Sequence, residues 1–138
     1  MAHVEWTEAI RVGVPQIDAE HRHLLDRTNE FLTAAQKQAP LSSLSRILSQ
    51  LITETAAHFQ AEETLLDRSS YPQLAAHHAE HERLMTEARK LHERFEAPGR
   101  AEDIGLLTLE TADYLQRWLV DHILVHDRPF RPYVMRLF

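Results

Sequence analysis

Four long segments with helical spacing of apolar residues determine what this chain can fold into. In the first segment Ile17, Leu24, Leu25, Phe31 and Leu32 recur at helical steps and so share one helix face. Short breaks containing proline separate the segments, and no strand-like alternation competes with them. Because short connections join antiparallel neighbours, the pattern predicts an all-α, up-down-up-down antiparallel four-helix bundle. The predicted helices cover residues 18–38, 42–68, 72–97 and 102–127.

The segment ends carry further signals. Asp18 is predicted to cap the first helix, because its carboxylate can accept the free N–H groups of the first turn. Pro72 is predicted to lie in the first turn of the third helix. Residues 1–16 are expected to form an irregular arm over one end of the bundle. Pro129 and Pro132 limit the chain after the fourth helix to a short C-terminal piece, which either packs on the bundle or serves as a linker.

Composition excludes several classes of protein. With 138 residues, the chain is expected to form a single domain, 1–138. The absence of cysteine excludes disulfides, thiolate metal sites and a cysteine nucleophile. A net charge of −6 disfavours a nucleic-acid partner, and no apolar run is long enough to span a membrane, so a cytoplasmic location is expected.

Ten histidines are unusual for this length, and several of them fall at one level of the predicted bundle. Two pairs at i,i+4 spacing, His58 with Glu62 and His77 with His81, each leave one helix face within a turn of each other. Either pair alone is also compatible with a solvated helix surface. Distances counted from the interhelical turns, however, bring six residues from all four helices to matching heights: His21, His58, Glu62, His77, His81 and His122.

Such a cluster needs a partner if it is buried. Several imidazoles and a carboxylate without partners would cost several kcal/mol, and a metal that takes up their lone pairs removes that cost. Neutral imidazole and carboxylate ligands without thiolate suit iron, zinc or manganese. Six ligands exceed what one tetrahedral zinc needs, so two ions are expected.

The same residues resemble the bacterial hemerythrins, and the resemblance covers essentially the whole chain. Hemerythrins are up-down four-helix bundles of the kind already predicted here. The matching stretches are Trp6, Ile17-Asp18-Ala19-Glu20-His21, His58-Phe59-Gln60-Ala61-Glu62-Glu63, Tyr71-Pro72, His77 with His81, and Trp118-Leu119-Val120-Asp121-His122 with Asp127.

The resemblance implies a non-haem di-iron centre, with two Fe and an oxo or hydroxo bridge from solvent. The iron with fewer imidazoles would keep one position open, where dioxygen would bind. The implied ligands are His77, His81 and His122 for one iron, His21 and His58 for the other, and Glu62 and Asp127 as bridges.

Asp127 is the one implied ligand that helix geometry alone does not favour. It follows His122 by five residues, about 140° around an ideal helix, whereas His126 follows by four. Pro129 disfavours regular helix at Arg128, so a rewound last turn could bring Asp127 inward. The resemblance selects Asp127 and leaves His126 without a role, and Glu63 is interpreted as a solvated charge.

An open metal position would need an apolar lining to exclude water. By matching positions, the candidates are Leu24, Phe59, Trp118 and Ile123, although all four would also suit an ordinary core.

The function implied by the resemblance is reversible dioxygen binding for storage or delivery by a monomer that is not an enzyme. The first alternative is an oxygen- or redox-sensing domain of a larger signalling protein, in which an output domain would be the partner. A carrier would instead supply an oxygen-consuming enzyme. A di-iron oxidase is the third reading, and it is disfavoured because only Glu20 and His23 have the Glu-x-x-His spacing of ferritin-like oxidases.

Overall fold

A computed structural model describes residues 3–99 and 103–138, and in this part of the chain it contains helices and no strands. Each of the four long helices packs against two neighbours, α1 and α3 both lying between α2 and α4. This is the predicted up-down-up-down bundle, and no helix in the described ranges is long and apolar enough to cross a membrane. The helices are α1 (Pro15–Gln36), α2 (Leu41–Arg68), α3 (Leu74–Glu96) and α4 (Ile104–His122).

The first helix begins three residues before the predicted cap. Pro15 occupies its first turn, where a missing N–H costs nothing and the fixed φ suits the helix. Asp18 therefore lies inside α1, and its prediction as a cap is wrong. Its carboxylate instead accepts the backbone N–H groups of Val12 at 2.8 Å and Gly13 at 3.0 Å, which ties the preceding arm to the helix.

The turns after α1 and α2 have the same hydrogen-bond pattern. Gln38 and Ser70 adopt positive φ just past the helix ends, and the next N–H groups return to carbonyls in the last turn, from Ala39 to Ala34 and from Tyr71 to Leu66. The second turn continues through Pro72, so α3 begins at Leu74 instead of in the predicted first turn at Pro72. The predicted start of the fourth helix, Glu102, lies outside the described residues.

The N-terminal arm runs along α1, from Asp18 near its start to Thr33 near its end, so the prediction that the arm lies over one end of the bundle is wrong. Backbone and side-chain hydrogen bonds join Val4 to Asn29, and the Arg22 guanidinium lies 4.4 Å above the Trp6 ring. Closer to α1, Gly13 has a φ of +92°, and a Cβ there would lie 2.6 Å from the Arg131 side chain. A side chain at Gly13 would therefore strain the backbone and push aside the end of the Arg131 side chain.

The chain after α4 packs on the bundle instead of leaving it. A π-helical turn covers Ile123–Asp127, and short helical pieces follow at Arg128–Phe130, Arg131–Val134 and Met135–Leu137. Phe130 and Val134 are fully buried in this segment. The expected short C-terminal piece is therefore held firmly against the core.

We expect Asp18→Ala to lower the free energy of unfolding by about 2 kcal/mol, because two backbone N–H groups lose a charged acceptor. Urea unfolding followed by circular dichroism measures this change. Asp26→Ala, an exposed aspartate of the same helix, is the matched control and should stay within about 0.5 kcal/mol of the parent chain. Equal effects of the two substitutions would show that the arm is not held through Asp18.

Candidate metal centre

The seven side chains implied as ligands meet in one buried cluster between the helices. Helix α1 contributes one of them, α2 and α3 contribute an i,i+4 pair each, α4 contributes its last residue, and the π-helical turn contributes an aspartate. None of the seven is more than 5% exposed. They are His21, His58, Glu62, His77, His81, His122 and Asp127.

On one side of the cluster, three imidazoles surround one oxygen of each carboxylate. Oε1 of Glu62 lies 2.7 Å from Nε2 of His77 and 3.2 Å from Nε2 of His81. Oδ1 of Asp127 lies 3.1 Å from Nε2 of His77 and 3.0 Å from Nε2 of His122. The three imidazoles thus point their Nε2 atoms at the same pair of oxygens.

On the other side, two imidazoles face the remaining oxygens. Oε2 of Glu62 lies 3.1 Å from Nε2 of His58 and 3.6 Å from Nε2 of His21. Oδ2 of Asp127 lies 3.1 Å from the same Nε2 atom of His21. Each carboxylate therefore directs one oxygen to the side with three imidazoles and the other to the side with two, where Asp127 contacts His21 alone.

The polar atoms at the centre of this cluster lack hydrogen-bond partners. Leaving buried donors and acceptors unpaired is costly, and protein interiors rarely tolerate several such atoms together. Because imidazole and carboxylate ligands suit transition metals, these residues fit two cations, one on each side. The atoms are Nε2 of His21, His58, His81 and His122, Oε2 of Glu62, and both carboxylate oxygens of Asp127.

The π-helical turn explains how Asp127 enters the cluster. In a π turn the repeat is i to i+5, so the side chain five residues after His122 returns to the same side of the helix. Asp127 is fully buried, whereas the His126 side chain is 36% exposed. The His126 ring stacks on His122 at 5.4 Å, and its Nε2 lies 3.6 Å from a carboxylate oxygen of Glu80. Regular α-helix geometry would have favoured His126.

Comparison with known proteins identifies the family to which this arrangement belongs. The family model described as the hemerythrin HHE cation binding domain matches residues 12–134. The chain belongs to the hemerythrin family. It is therefore a member of a family of di-iron, oxygen-binding proteins.

Curated relatives and a solved structure agree with this assignment. The chain is 32% identical to a bacteriohemerythrin of Methylococcus capsulatus, over 96% of this chain and 97% of the relative. It is 30% identical to a bacteriohemerythrin of Stenotrophomonas maltophilia, over 94% of this chain and 80% of the relative. A crystal structure of wild-type hemerythrin, 31% identical, superposes with a TM-score of 0.80 and covers 96% of this chain and 98% of its own.

Two carboxylates behind the cluster were missed by the sequence analysis. Glu20 bonds to Nδ1 of His58 at 2.6 Å, and Glu63 bonds to Nδ1 of His81 at 2.8 Å and also to the surface residue His78. Such contacts fix the ring orientation and leave Nε2 free for a metal. The interpretation of Glu63 as a solvated charge is wrong. The sequence offers one indication of this role: Glu20 and Glu63 are each next to a residue of the cluster in the sequence.

Without metal, the Glu62 and Asp127 carboxylates and the His58 and His77 imidazoles shift one another's pKa values toward the charged forms. Burial lowers the pKa of His58, but contacts with Glu20 and Glu62 and the nearby negative charges outweigh burial and raise it to about 10. The same balance, with Asp127 and Glu62, raises the pKa of His77 to about 9. Burial raises the pKa of Glu62, yet the imidazoles around it hold that pKa well below its usual range.

The four residues proposed to line the dioxygen position are all buried. Phe59 stacks on the His81 ring at 3.7 Å, and Trp118 meets Phe59 edge-on at 6.4 Å. Leu24 and Ile123 are 1% and 0% exposed. Their burial agrees with either an apolar lining or ordinary core packing, so their role stays a prediction.

We expect Asp127→Ala to lower the iron content of the purified protein severely, because both of its oxygens lie among the imidazoles. His126→Ala, which changes the neighbouring residue at similar chain position, should retain the parent iron content. Elemental analysis of both variants measures the difference. Full iron in Asp127→Ala together with loss in His126→Ala would reverse the assignment of this ligand.

Metal-free stability and metal affinity should change in opposite directions with pH. The pKa values of His58 and His77 are raised to about 10 and 9. The protonated imidazoles therefore add to the free energy of unfolding of the metal-free protein, and this addition is fully present below about pH 6.5, the ordinary pKa of imidazole. It is lost as the pH rises through 9 and 10. Metal requires neutral imidazole, so its affinity should rise over the same range.

The measurements are urea unfolding of the metal-free protein and chelator competition for the metal, both between about pH 6.5 and 10. Metal-free stability that rises with pH across this window would contradict the charged state described for the imidazoles.

Proposed function

We propose that the chain binds dioxygen reversibly at a non-haem di-iron centre, for storage or delivery and without chemical turnover. The observation that carries the proposal is the division of five imidazoles into three and two around two shared carboxylates. The proposed ligands are those implied by the sequence, with Glu62 and Asp127 bridging both metal positions. We also propose that the protein is a monomer and is located in the cytoplasm.

Counting ligands shows why the two sides differ. One metal would be held by His77, His81 and His122 together with one oxygen from each carboxylate. The other would be held by His21 and His58 with the remaining carboxylate oxygens, so it would have one protein ligand fewer and room for a small ligand. Ferrous iron bound there would supply the electrons that dioxygen binding requires.

The chain itself orients the ligands and keeps the site dry. Glu20 holds the His58 ring from behind, so its Nε2 stays directed at Glu62. Leu24 lies one turn from His21 on the same face of α1 and is buried. Apolar side chains near an open ligand position exclude water and slow irreversible oxidation of the metal.

A groove between α1 and α2 leads toward the side with two imidazoles. Its lining includes small side chains that leave room beside His58, among them Ala19, Ala57 and Ala61. Leu24 also borders this groove. We propose that a small neutral molecule approaches the cluster through this groove.

We expect the purified protein to carry two irons per chain and to develop a visible absorption band when the reduced protein meets air. The band should disappear under vacuum and return with air, because binding is reversible. Metal analysis combined with anaerobic and aerobic spectra tests this. Stoichiometric zinc in place of iron would contradict the proposal, and a band that bleaches irreversibly would instead support the oxidase reading.

His58→Ala should abolish the oxygen-dependent band and leave about one iron per chain, because only one side loses an imidazole. His92→Ala is the control, since His92 contacts Ser45 and Glu96 away from the cluster, and it should keep both irons and the band. Equal loss of both irons in His58→Ala would contradict the asymmetry of the two sides.

A further inference from the structure

The C-terminal segment has an inward face and an outward face of opposite character. Its backbone is helical throughout, although the turns differ in type. Asp127, Phe130 and Val134 face inward, at helical spacing, and are fully buried. The exposed residues of this stretch that face outward are Val125, Arg128, Arg131, Met135, Arg136 and Phe138.

Exposed large apolar side chains are concentrated on this outward face. Val125 is 63% exposed, Met135 is 37% exposed and Phe138 is 72% exposed. Leu124, next to Val125, is 39% exposed. Four of the six exposed large apolar residues found in the described ranges therefore lie in the last fifteen residues of the chain. Such a concentration is typical of an interaction site.

The same face carries positive charge without internal compensation. Arg128, Arg131 and Arg136 are exposed, and none of them forms an ion pair with another described residue. The bundle behaves differently, since Arg27 pairs with Glu30 and Glu54, for example. Residues 128–138 contain no acidic residue and thus carry a charge of +3 in a chain of net charge −6.

The composition of the segment is that of a protein interface. Residues 128–138 contain arginine, phenylalanine, tyrosine and methionine but no lysine, glutamate, aspartate, serine or alanine. Interface cores are enriched in the first group and depleted in the second. Arginine also binds carboxylates through two parallel hydrogen bonds, whereas a lipid surface would be served equally well by lysine.

Aromatic contacts anchor the backbone of this segment on the bundle, so its outward side chains start from fixed backbone positions. The Phe130 ring meets Tyr71 edge-on at 6.2 Å, and Tyr133 meets Tyr71 at 5.1 Å. The guanidinium of Arg136 lies 5.1 Å above the Tyr133 ring. A partner would therefore meet a backbone that is already ordered, which reduces the backbone share of the entropy lost on binding.

We propose that the outward face formed by Val125, Arg128, Arg131, Met135, Arg136 and Phe138 docks a partner protein that presents carboxylates around an apolar patch. This surface includes residues on both sides of Asp127 in the sequence, and the buried Phe130 ring of the same segment lies 5.6 Å from the His77 ring. A docked partner would therefore lie at the end of the bundle that holds the metal cluster. The inference stands independently of whether dioxygen is the ligand there.

The test uses the purified full chain and a fluorescein-labelled peptide in which glutamates flank a Leu-Trp-Leu core. Fluorescence anisotropy should show saturable binding that weakens as salt is added. Replacing Arg128, Arg131 and Arg136 by Gln should weaken binding about tenfold. The matched control replaces Arg46, Arg68 and Arg89, which are exposed arginines elsewhere, and should leave the affinity unchanged.

A second pair of matched variants tests how much the exposed apolar side chains contribute to peptide binding. Met135→Ser with Phe138→Ser should weaken binding several-fold, whereas Leu106→Ser with Leu109→Ser should not, although those leucines are 64% and 55% exposed. Circular dichroism and iron content of each variant establish that the fold and the metal cluster are intact, so a loss of binding reports on the surface itself.

Three results would overturn the proposal. The first is no saturable peptide binding by the parent chain. The second is an equal loss in the two arginine triple variants, which would mean that binding follows total charge alone. The third is tighter binding to phosphatidylglycerol vesicles than to the peptide, with the same dependence on Arg128, Arg131 and Arg136, which would assign the surface to a membrane.

Discussion

The rest of this structure depends on one constraint: imidazole nitrogens and carboxylate oxygens are buried without hydrogen-bond partners. Five imidazoles and two carboxylates occupy the interior where a bundle of this size would otherwise place apolar side chains. Their central atoms lack hydrogen-bond partners, so cations bound there would remove the free-energy cost of burying them. All four helices supply side chains to the cluster, so a metal bound there would also help to hold the helices together.

The two shared carboxylates convert this constraint into an asymmetric site. A carboxylate has two oxygens, and Glu62 and Asp127 each direct one oxygen to either side. Three imidazoles lie on one side and two on the other, and this difference alone makes the two sides unequal. Each side also has one carboxylate behind it that orients a ring: Glu20 orients His58 on one side, and Glu63 orients His81 on the other.

The sequence predicted the features that follow from helical periodicity and could not predict those that depend on local departures from it. The i,i+4 pair His77 and His81, for example, reports directly on a shared helix face. Asp127 was selected by resemblance alone, because a π-helical turn has no clear sequence signature. Glu63 was misread because its role depends on side-chain direction. The cap at Asp18 failed because Pro15 starts the helix earlier.

The π-helical turn also couples the metal cluster to the proposed docking surface. Asp127 is the one side chain of the cluster that lies beyond the four straight helices, and the outward arginines follow it without a break. A metal bound by Asp127 would therefore stabilise the position of the segment that presents those arginines. By thermodynamic reciprocity, a partner that binds the ordered segment more tightly must raise metal affinity by the same factor. A carrier that delivers to a partner and a sensor that signals to one would both use this coupling, and they would differ only in what the partner does.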